Sequence, residues 1–302
     1  MEIGRFMTRK MQTSSNSNRR KVALWHPGHI DFGLGDRMRG LASGLVLARA
    51  LDCDLLAQWE STRACPAEWD ELFAPLQGHF PYRTIPARRL NLLEPDFIWT
   101  MGGNIHPNYG YRDTYRAAPS GHPDFVDVTA FKNAWARELR AFQPIPAIME
   151  AVQQTTSSFP EFTLGIHLRR TDVMNDPKKP INQDNVHLYD QSLWDEAIRT
   201  LEDHPNAAVF IAADREDYQR DWSERFQQLG IRVCIHQKTW FRAGMRKTPV
   251  SDALIDMMLF SRTSVLLSSV RSSLAFVAST IGRNTWRVIT PEKVEVQNPS
   301  AS

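Results

Sequence analysis

Apolar runs of strand length alternate along the chain with stretches at helical spacing. "KVALWHP" is a short apolar run stopped by Pro27, and the loop "GHIDFGLGD" follows it. From Asp36, "DRMRGLASGLVLARAL" puts Met38, Leu41, Ala42, Leu45 and Ala48 on one helical face. "DLLAQW" then reads as a strand, completing a β-loop-α-β unit with a glycine-bearing first turn. Between residues 60 and 150 the pattern is broken by Pro66, Pro75, Pro81, Pro86, Pro95, Pro107, Pro119 and Pro123. In that stretch "RRLNLLE" and "DFIWTMGG" read as strands. "DVTAFKNAWARELRAF" reads as a helix through Phe131, Trp135, Leu139 and Phe142. "QPIPAIMEAVQQTTSSFP" holds another helix and then a Ser/Thr/Pro break near 155 to 160, which sets the expected domain boundary.

After the break the alternation is regular. "TLGIHLR", "AAVFIAAD", "RVCIHQ" and "SVLLSS" read as strands. "SLWDEAIRTLE", "REDYQRDWSERFQQLG" ending at Gly230, "SDALIDMMLFSRT" capped by Ser251, and "SSLAFVASTIG" ending at Gly282 read as helices. Strands and helices joined by short connections predict a parallel, doubly wound α/β sheet. The expected organisation is a tail over 1–20, an N-terminal α/β domain over 21–158, a C-terminal Rossmann-like domain over 159–290 and a tail over 291–302.

Composition narrows the class. The 302 residues are 42% hydrophobic and 23% charged, which is ordinary for a globular protein. A net charge of +2 gives no basic footprint for nucleic acid. Cys53, Cys65 and Cys234 are an odd count without metal-ligand spacing, and read as reduced thiols of a cytoplasmic protein. No apolar window reaches the length of a transmembrane helix. The basic start of the chain lacks the apolar core of a secretory signal.

Polar residues cluster at three strand ends of the second half. The first is "GIHLRRTDV", with His167, Arg169, Arg170 and Asp172. The second is Asp214, and the third is the "SSVRSS" loop, from which a helix begins near Ser272. An arginine beside an aspartate can simply be an ion pair, which at a surface contributes little. Three such ends at matching topological positions instead suit a nucleotide. A planar guanidinium and a helix N-terminus take phosphate, and ligands of open α/β sheets bind beyond the carboxyl ends of the strands.

"GIHLRRTD" resembles the His-x-Arg-Arg-x-Asp signature of the GDP-fucose-dependent fucosyltransferases: the α1,6-, α1,2- and nodulation enzymes, with the protein O-fucosyltransferases more distant. "FIAAD", "ALIDMMLFSRTSVLLSSVRSSLAFVA" and "FGLGDRMRGLASGLVLARAL" are similar to three further blocks of that superfamily, in the same order. The resemblance implies a GT-B-like fold, with two Rossmann-like α/β domains facing a cleft. It implies a metal-independent, inverting glycosyltransferase that needs no cofactor beyond GDP-fucose as donor, acting on a glycan or small-molecule acceptor. By the same resemblance, Arg169 would bind the β-phosphate and stabilise the departing GDP, with Arg170 in support. His167 would line the donor pocket with Asp172, and Asp214 and Asp256 would lie near the guanosine. Ser272 and Ser273 would touch the diphosphate, and Gly33, Gly35 and Asp36 would bring the first domain's loop to the fucose.

The chain departs from the α1,6 pattern at Val173, where several members carry lysine, and no glutamate follows nearby. Acceptor, linkage and catalytic base are therefore open, and Asp31, Asp36 and Asp176 are the candidate bases. Asp36 is also placed to cap its helix. "DCD" at Asp52–Asp54 spells a metal-site motif but falls where a helix turns into a strand, and is read as a turn. In "GLGDRM" Met38 occupies the third glycine position of a dinucleotide fingerprint, which argues against NAD. The tryptophans read as core, except Trp240, which with Phe241 precedes Arg242 in a loop. Two rival readings are a related transferase using another nucleotide sugar and a non-catalytic nucleotide-sugar binder.

Overall fold

The computed structural model describes residues 22–26, 32–52, 54–57, 59, 61–75, 82–84, 97–100, 121–171, 181–242, 247–269 and 272–297. The chain folds around two separate sheets. The first has the order β3-β2-β1-β4, from β1 (Val22–His26), β2 (Asp54–Ala57), β3 (Tyr82–Thr84) and β4 (Phe97–Thr100), all parallel. The second has the order β10-β9-β8-β5-β6-β7. Its strands are β5 (Thr163–Leu168), β6 (Ala208–Ala213), β7 (Arg232–Cys234), β8 (Val265–Ser268), β9 (Thr285–Ile289) and β10 (Val294–Gln297). All its pairings are parallel except that of the edge strand β10. In each sheet the strand that comes first in sequence lies inside, with later strands on both sides. This produces a topological switch point at the carboxyl ends of β1 and of β5, the position where open α/β sheets form a crevice.

The helices are α1 (Leu34–Ala50), α2 (Val128–Ala141), α3 (Pro146–Thr156), α4 (Val186–Glu202), α5 (Glu216–Gln228), α6 (Val250–Phe260) and α7 (Ser273–Gly282). Every residue of β5 and β6 is buried, as expected for central parallel strands covered on both faces. Their side chains divide by period two. Ala208, Phe210 and Ala212 join the core shared with α6 and α7. Leu164, Ile166, Leu168, Val209 and Ile211 join the core under α4 and α5. The first of these cores runs on without interruption through α1, α2 and α3, so one hydrophobic body connects the two sheets. Trp135 on α2 stacks toward Phe276 on α7 with ring centroids 5.5 Å apart, and its indole N–H donates to the Arg39 carbonyl at 3.0 Å.

Several expectations change. The apolar face read from Asp36 onward understates α1, which is buried on nearly every side from Leu34 to Ala48. Its small residues Gly40, Ala42, Ser43 and Gly44 permit close packing all round. Asp36 does not cap this helix. Gly33 holds the N-cap position, and Asp36 falls in the first turn. Ser251 does not cap α6, whose N-cap is Pro249. Helix α4 begins at Val186, ahead of the expected Ser192, and β7 stops at Cys234. β9 and β10 form where no element was expected, β10 within the stretch read as tail. Gly230 ends its helix region with φ at 73°, as a C-terminal glycine should. Strand "RRLNLLE" lies outside the described residues.

Candidate active site

The carboxyl ends of β5, β6 and β8 open into a cleft of about 260 Å³, closed on its other side by the start of α1. His167, Arg169 and Thr171 come from the end of β5, Asp214 from the end of β6, and Ser272 and Ser273 from the start of α7. Ala253, Asp256 and Phe260 come from one face of α6, and Gly33, Leu34, Gly35 and Asp36 from the start of α1. Nine of the residues singled out in the sequence thus meet in one space: Gly33, Gly35, Asp36, His167, Arg169, Asp214, Asp256, Ser272 and Ser273. Asp31, Asp172 and Asp176 lie outside the described residues, as does Val173.

The strand phase separates the two arginines. His167 packs against Phe260 of α6 at 5.6 Å, on the cleft side of the sheet, and Arg169 continues on that side. Arg170 turns to the other side and is fully buried. There its guanidinium donates to Ser269 Oγ at 2.8 Å and to the Arg169 carbonyl at 2.9 Å, pairs with Asp190 of α4, and lies 5.5 Å from the Tyr218 ring of α5. Arg170 therefore braces the backbone carrying Arg169 and does not line the cleft.

Asp214 fixes the same backbone from the neighbouring strand. Its two carboxylate oxygens accept from the backbone N–H groups of Arg170 at 2.7 Å and Thr171 at 2.9 Å. The Thr171 hydroxyl donates back to the Asp214 carbonyl at 3.0 Å. A carboxylate holding two amides in this way sets where the β5 exit loop runs.

Two helix starts converge opposite Arg169. A Cβ placed on Gly35 would lie 2.7 Å from the Ser273 carbonyl carbon and 2.8 Å from the Leu274 nitrogen, so only glycine lets α1 approach the start of α7. Each helix N-terminus carries unsatisfied N–H groups and about half a positive charge. Asp36 sits between them, paired with Arg39 at 3.4 Å and hydrogen-bonded to the Ser273 side chain. Burial raises its pKa above the ordinary carboxylate value, against the lowering effect of Arg39, Arg169 and Ser273.

Asp256 forms the floor under α6. Its Oδ2 pairs with Lys238 Nζ at 2.6 Å, and Lys238 also donates to the Ala213 carbonyl at 3.0 Å. Its Oδ1 is buried and has no hydrogen-bond partner among the described residues. Burial raises the Asp256 pKa, while Lys238 and then His236 pull it back down. An orphan acceptor at a cleft wall is costly unless a ligand donor completes it.

Sequence reading missed Lys238, Asp190, Lys247 and Thr248. None of these belongs to a periodic or spaced pattern, because each acts through a loop or through packing between elements. Trp240 and Phe241 do not line the cleft. Trp240 instead lies 5.4 Å from Lys238 Nζ. Asp52 adopts a left-handed turn at φ 49° and Asp54 opens β2, at the end of the first sheet opposite the cleft. Among the described residues no three His, Cys, Asp or Glu side chains gather as a metal site. No helix among them is long and apolar enough to cross a membrane.

No protein-family model matches the chain, and no curated protein matches it by sequence. Solved structures do match. The fucosyltransferase NodZ from Bradyrhizobium superposes with a TM-score of 0.60 at 15% identity, over 93% of this chain and 99% of that one. A mutant of Arabidopsis thaliana FUT1 in complex with GDP gives 0.57 at 15% identity, over 91% and 71%. POFUT1 in complex with GDP-fucose gives 0.53 at 12% identity, over 90% and 96%. The chain thus shares its two-sheet, GT-B-type fold with these solved fucosyltransferases.

Proposed function

We propose that the protein transfers fucose from GDP-fucose to a hydroxyl of an acceptor, with inversion and without a metal ion. The observation that carries this reading is the convergence of Arg169, two helix N-termini and the unpartnered Asp256 oxygen in one cleft, within a fold shared with enzymes solved with GDP and GDP-fucose. The donor binds on the second sheet, residues 159–290, and the acceptor approaches from the side of residues 21–158.

In this reading the diphosphate lies between the Arg169 fork and the start of α7, where Ser272 and Ser273 supply hydroxyls and amides, and the start of α1 with Asp36 faces the fucose. The guanine edge presents N–H donors, which suit Asp256 Oδ1. Adenine presents an unprotonated ring nitrogen at the corresponding place, so a carboxylate selects against it. His167 and Phe260 flank the nucleoside, and Asp214 keeps Arg169 aimed. As the bond from fucose C1 to the β-phosphate oxygen breaks, negative charge grows on the diphosphate. A guanidinium fixed in a dry cleft stabilises that charge without reorganising. The acceptor oxygen bonds to C1 from the opposite face and its proton passes to Asp36. The raised pKa makes Asp36 a better base than an exposed aspartate. Arginine keeps its charge throughout, so the diphosphate is neutralised without a cation.

A thermal-shift panel tests the reading. GDP and GDP-fucose should stabilise the protein, while ADP and NAD should have little effect. A ligand at about 100 times its Kd contributes about 2.7 kcal/mol, which is readily measured. Transfer should persist in EDTA. A flat response to GDP beside a strong response to UDP would remove the fucosyl assignment, and full loss in EDTA restored by manganese would remove the metal-independent mechanism.

A further inference from the structure

We propose that Lys247 is a second cationic contact for the donor's diphosphate. The proposal rests on reading the cleft as a GDP-fucose site. Lys247 lines the cleft together with Arg169, Ser272 and Ser273, yet comes from a different element, the segment leading into α6. Its backbone is anchored there, since its carbonyl accepts from the Phe241 N–H at 2.7 Å and the next residue, Thr248, is buried. Its side chain is half-buried and forms no ion pair among the described residues. The ammonium makes a single long hydrogen bond, 3.4 Å, to the Arg242 carbonyl.

Among the described residues the other cations around the site are engaged. Arg39 pairs with Asp36, Arg170 with Asp190, Lys238 with Asp256 and Arg215 with Asp217. Arg169 already faces the field of Asp36. The ligand requires more positive charge than one arginine supplies. In the sugar nucleotide each phosphate carries one negative charge, and once the sugar has left, the freed terminal phosphate of GDP carries about −1.5 to −2 near neutral pH. The carboxylates of the cleft increase the shortfall. A lysine held at the rim by its backbone, with its charge uncommitted and a flexible four-carbon stem, is suited to follow a phosphate group whose charge grows as the sugar departs.

The test is calorimetric titration of wild type, Lys247→Met and Lys247→Arg with GDP, guanosine and inorganic pyrophosphate. For Lys247→Met we expect GDP and pyrophosphate to bind about tenfold more weakly, guanosine to bind unchanged, and the salt dependence of GDP affinity to become shallower. Lys247→Arg should restore most of the affinity. GDP and pyrophosphate affinities within twofold of wild type would overturn the proposal. So would an equal loss for guanosine, which would assign Lys247 to folding of the loop. Wild-type protein that binds pyrophosphate but not GDP would refute the donor assignment while Lys247 is still judged on pyrophosphate. Wild type binding neither would refute both.

Discussion

The wall of the cleft built by the second sheet delivers charge on side chains, whereas the wall built by the first delivers backbone. Arg169, Asp214 and Asp256 stand at strand ends or on the inner face of α6, and a layer of Arg170, Ser269, Lys238 and the partly exposed Asp190 holds them. The start of α1 contributes two glycines, which set how closely it approaches α7, and one carboxylate, Asp36, the base of the proposed reaction. The difference teaches that the two walls should fail differently. Damage to the second should change affinity and chemistry at particular atoms, and damage to the first should change the spacing of the whole site.

The largest effect is expected on the second wall. Arg169→Lys keeps a charge but loses the two-pronged grip on phosphate, and transfer should fall by about 10²- to 10³-fold with the melting temperature unchanged. Arg170→Lys should do the reverse. It keeps the charge but loses the fork that bonds Asp190, Ser269 and the Arg169 carbonyl at once, and should cost about 1–3 kcal/mol of stability while keeping measurable transfer. Kinetics and denaturant unfolding of both variants check this. A dead but stable Arg170→Lys beside an active Arg169→Lys would invert the strand phase described above.

Gly35→Ala tests the first wall. Backbone atoms within 2.9 Å of the added methyl cannot move aside as a side chain would. Stability should drop by about 1–3 kcal/mol, and GDP affinity should weaken with it, because the two helix starts are forced apart. Unchanged stability would mean that the walls are not in contact there.

Asp256→Asn should be milder. The amide still occupies the site but offers a weaker acceptor and unbalances Lys238. We expect GDP to bind about tenfold more weakly, narrowing its lead over ADP, as a competition titration would show.

The most specific effect concerns pH. A base must be deprotonated, so transfer should rise with pH through a value above the ordinary aspartate pKa, and Asp36→Asn should remove both the limb and most activity. The folded state holds this proton more tightly than the unfolded chain does. The stabilising contribution is therefore complete below the unfolded pKa and is lost as pH rises through the folded one. Asp36→Asn should consequently leave the protein no less stable at neutral pH.

How much of this was legible depended on which kind of signal each part uses. The second sheet could be read because β5, β6 and β8 are continuous apolar runs separated by helical periods, and their polar ends stand out at once. β9 and β10 could not, because "TWRVI" mixes half-buried with buried positions and the edge strand "VEVQ" has no buried position, so neither is a continuous apolar run. Between residues 60 and 127 the prolines interrupt the periodicity, and burial in that region also depends on contacts distant in sequence, such as the Phe73–Pro144 bridge. The cleft residues on motifs were visible, but Lys238 and Asp190 were not, since their partners Asp256 and Arg170 are set by packing between elements. Asp36 was visible as a carboxylate near a helix start, but its role as cap gave way to Gly33 once the helix began two residues earlier.

The central claim is that this cleft breaks the bond between fucose and GDP using Arg169. The most direct measurement is release of GDP from GDP-fucose in the presence of EDTA, by wild type and by Arg169→Lys at equal concentration. We predict slow but enzyme-dependent release by wild type even without a dedicated acceptor, and about 10²-fold less or lower by the variant. Release that is absent in wild type although GDP binds, or that is equal in the two proteins, would contradict the account.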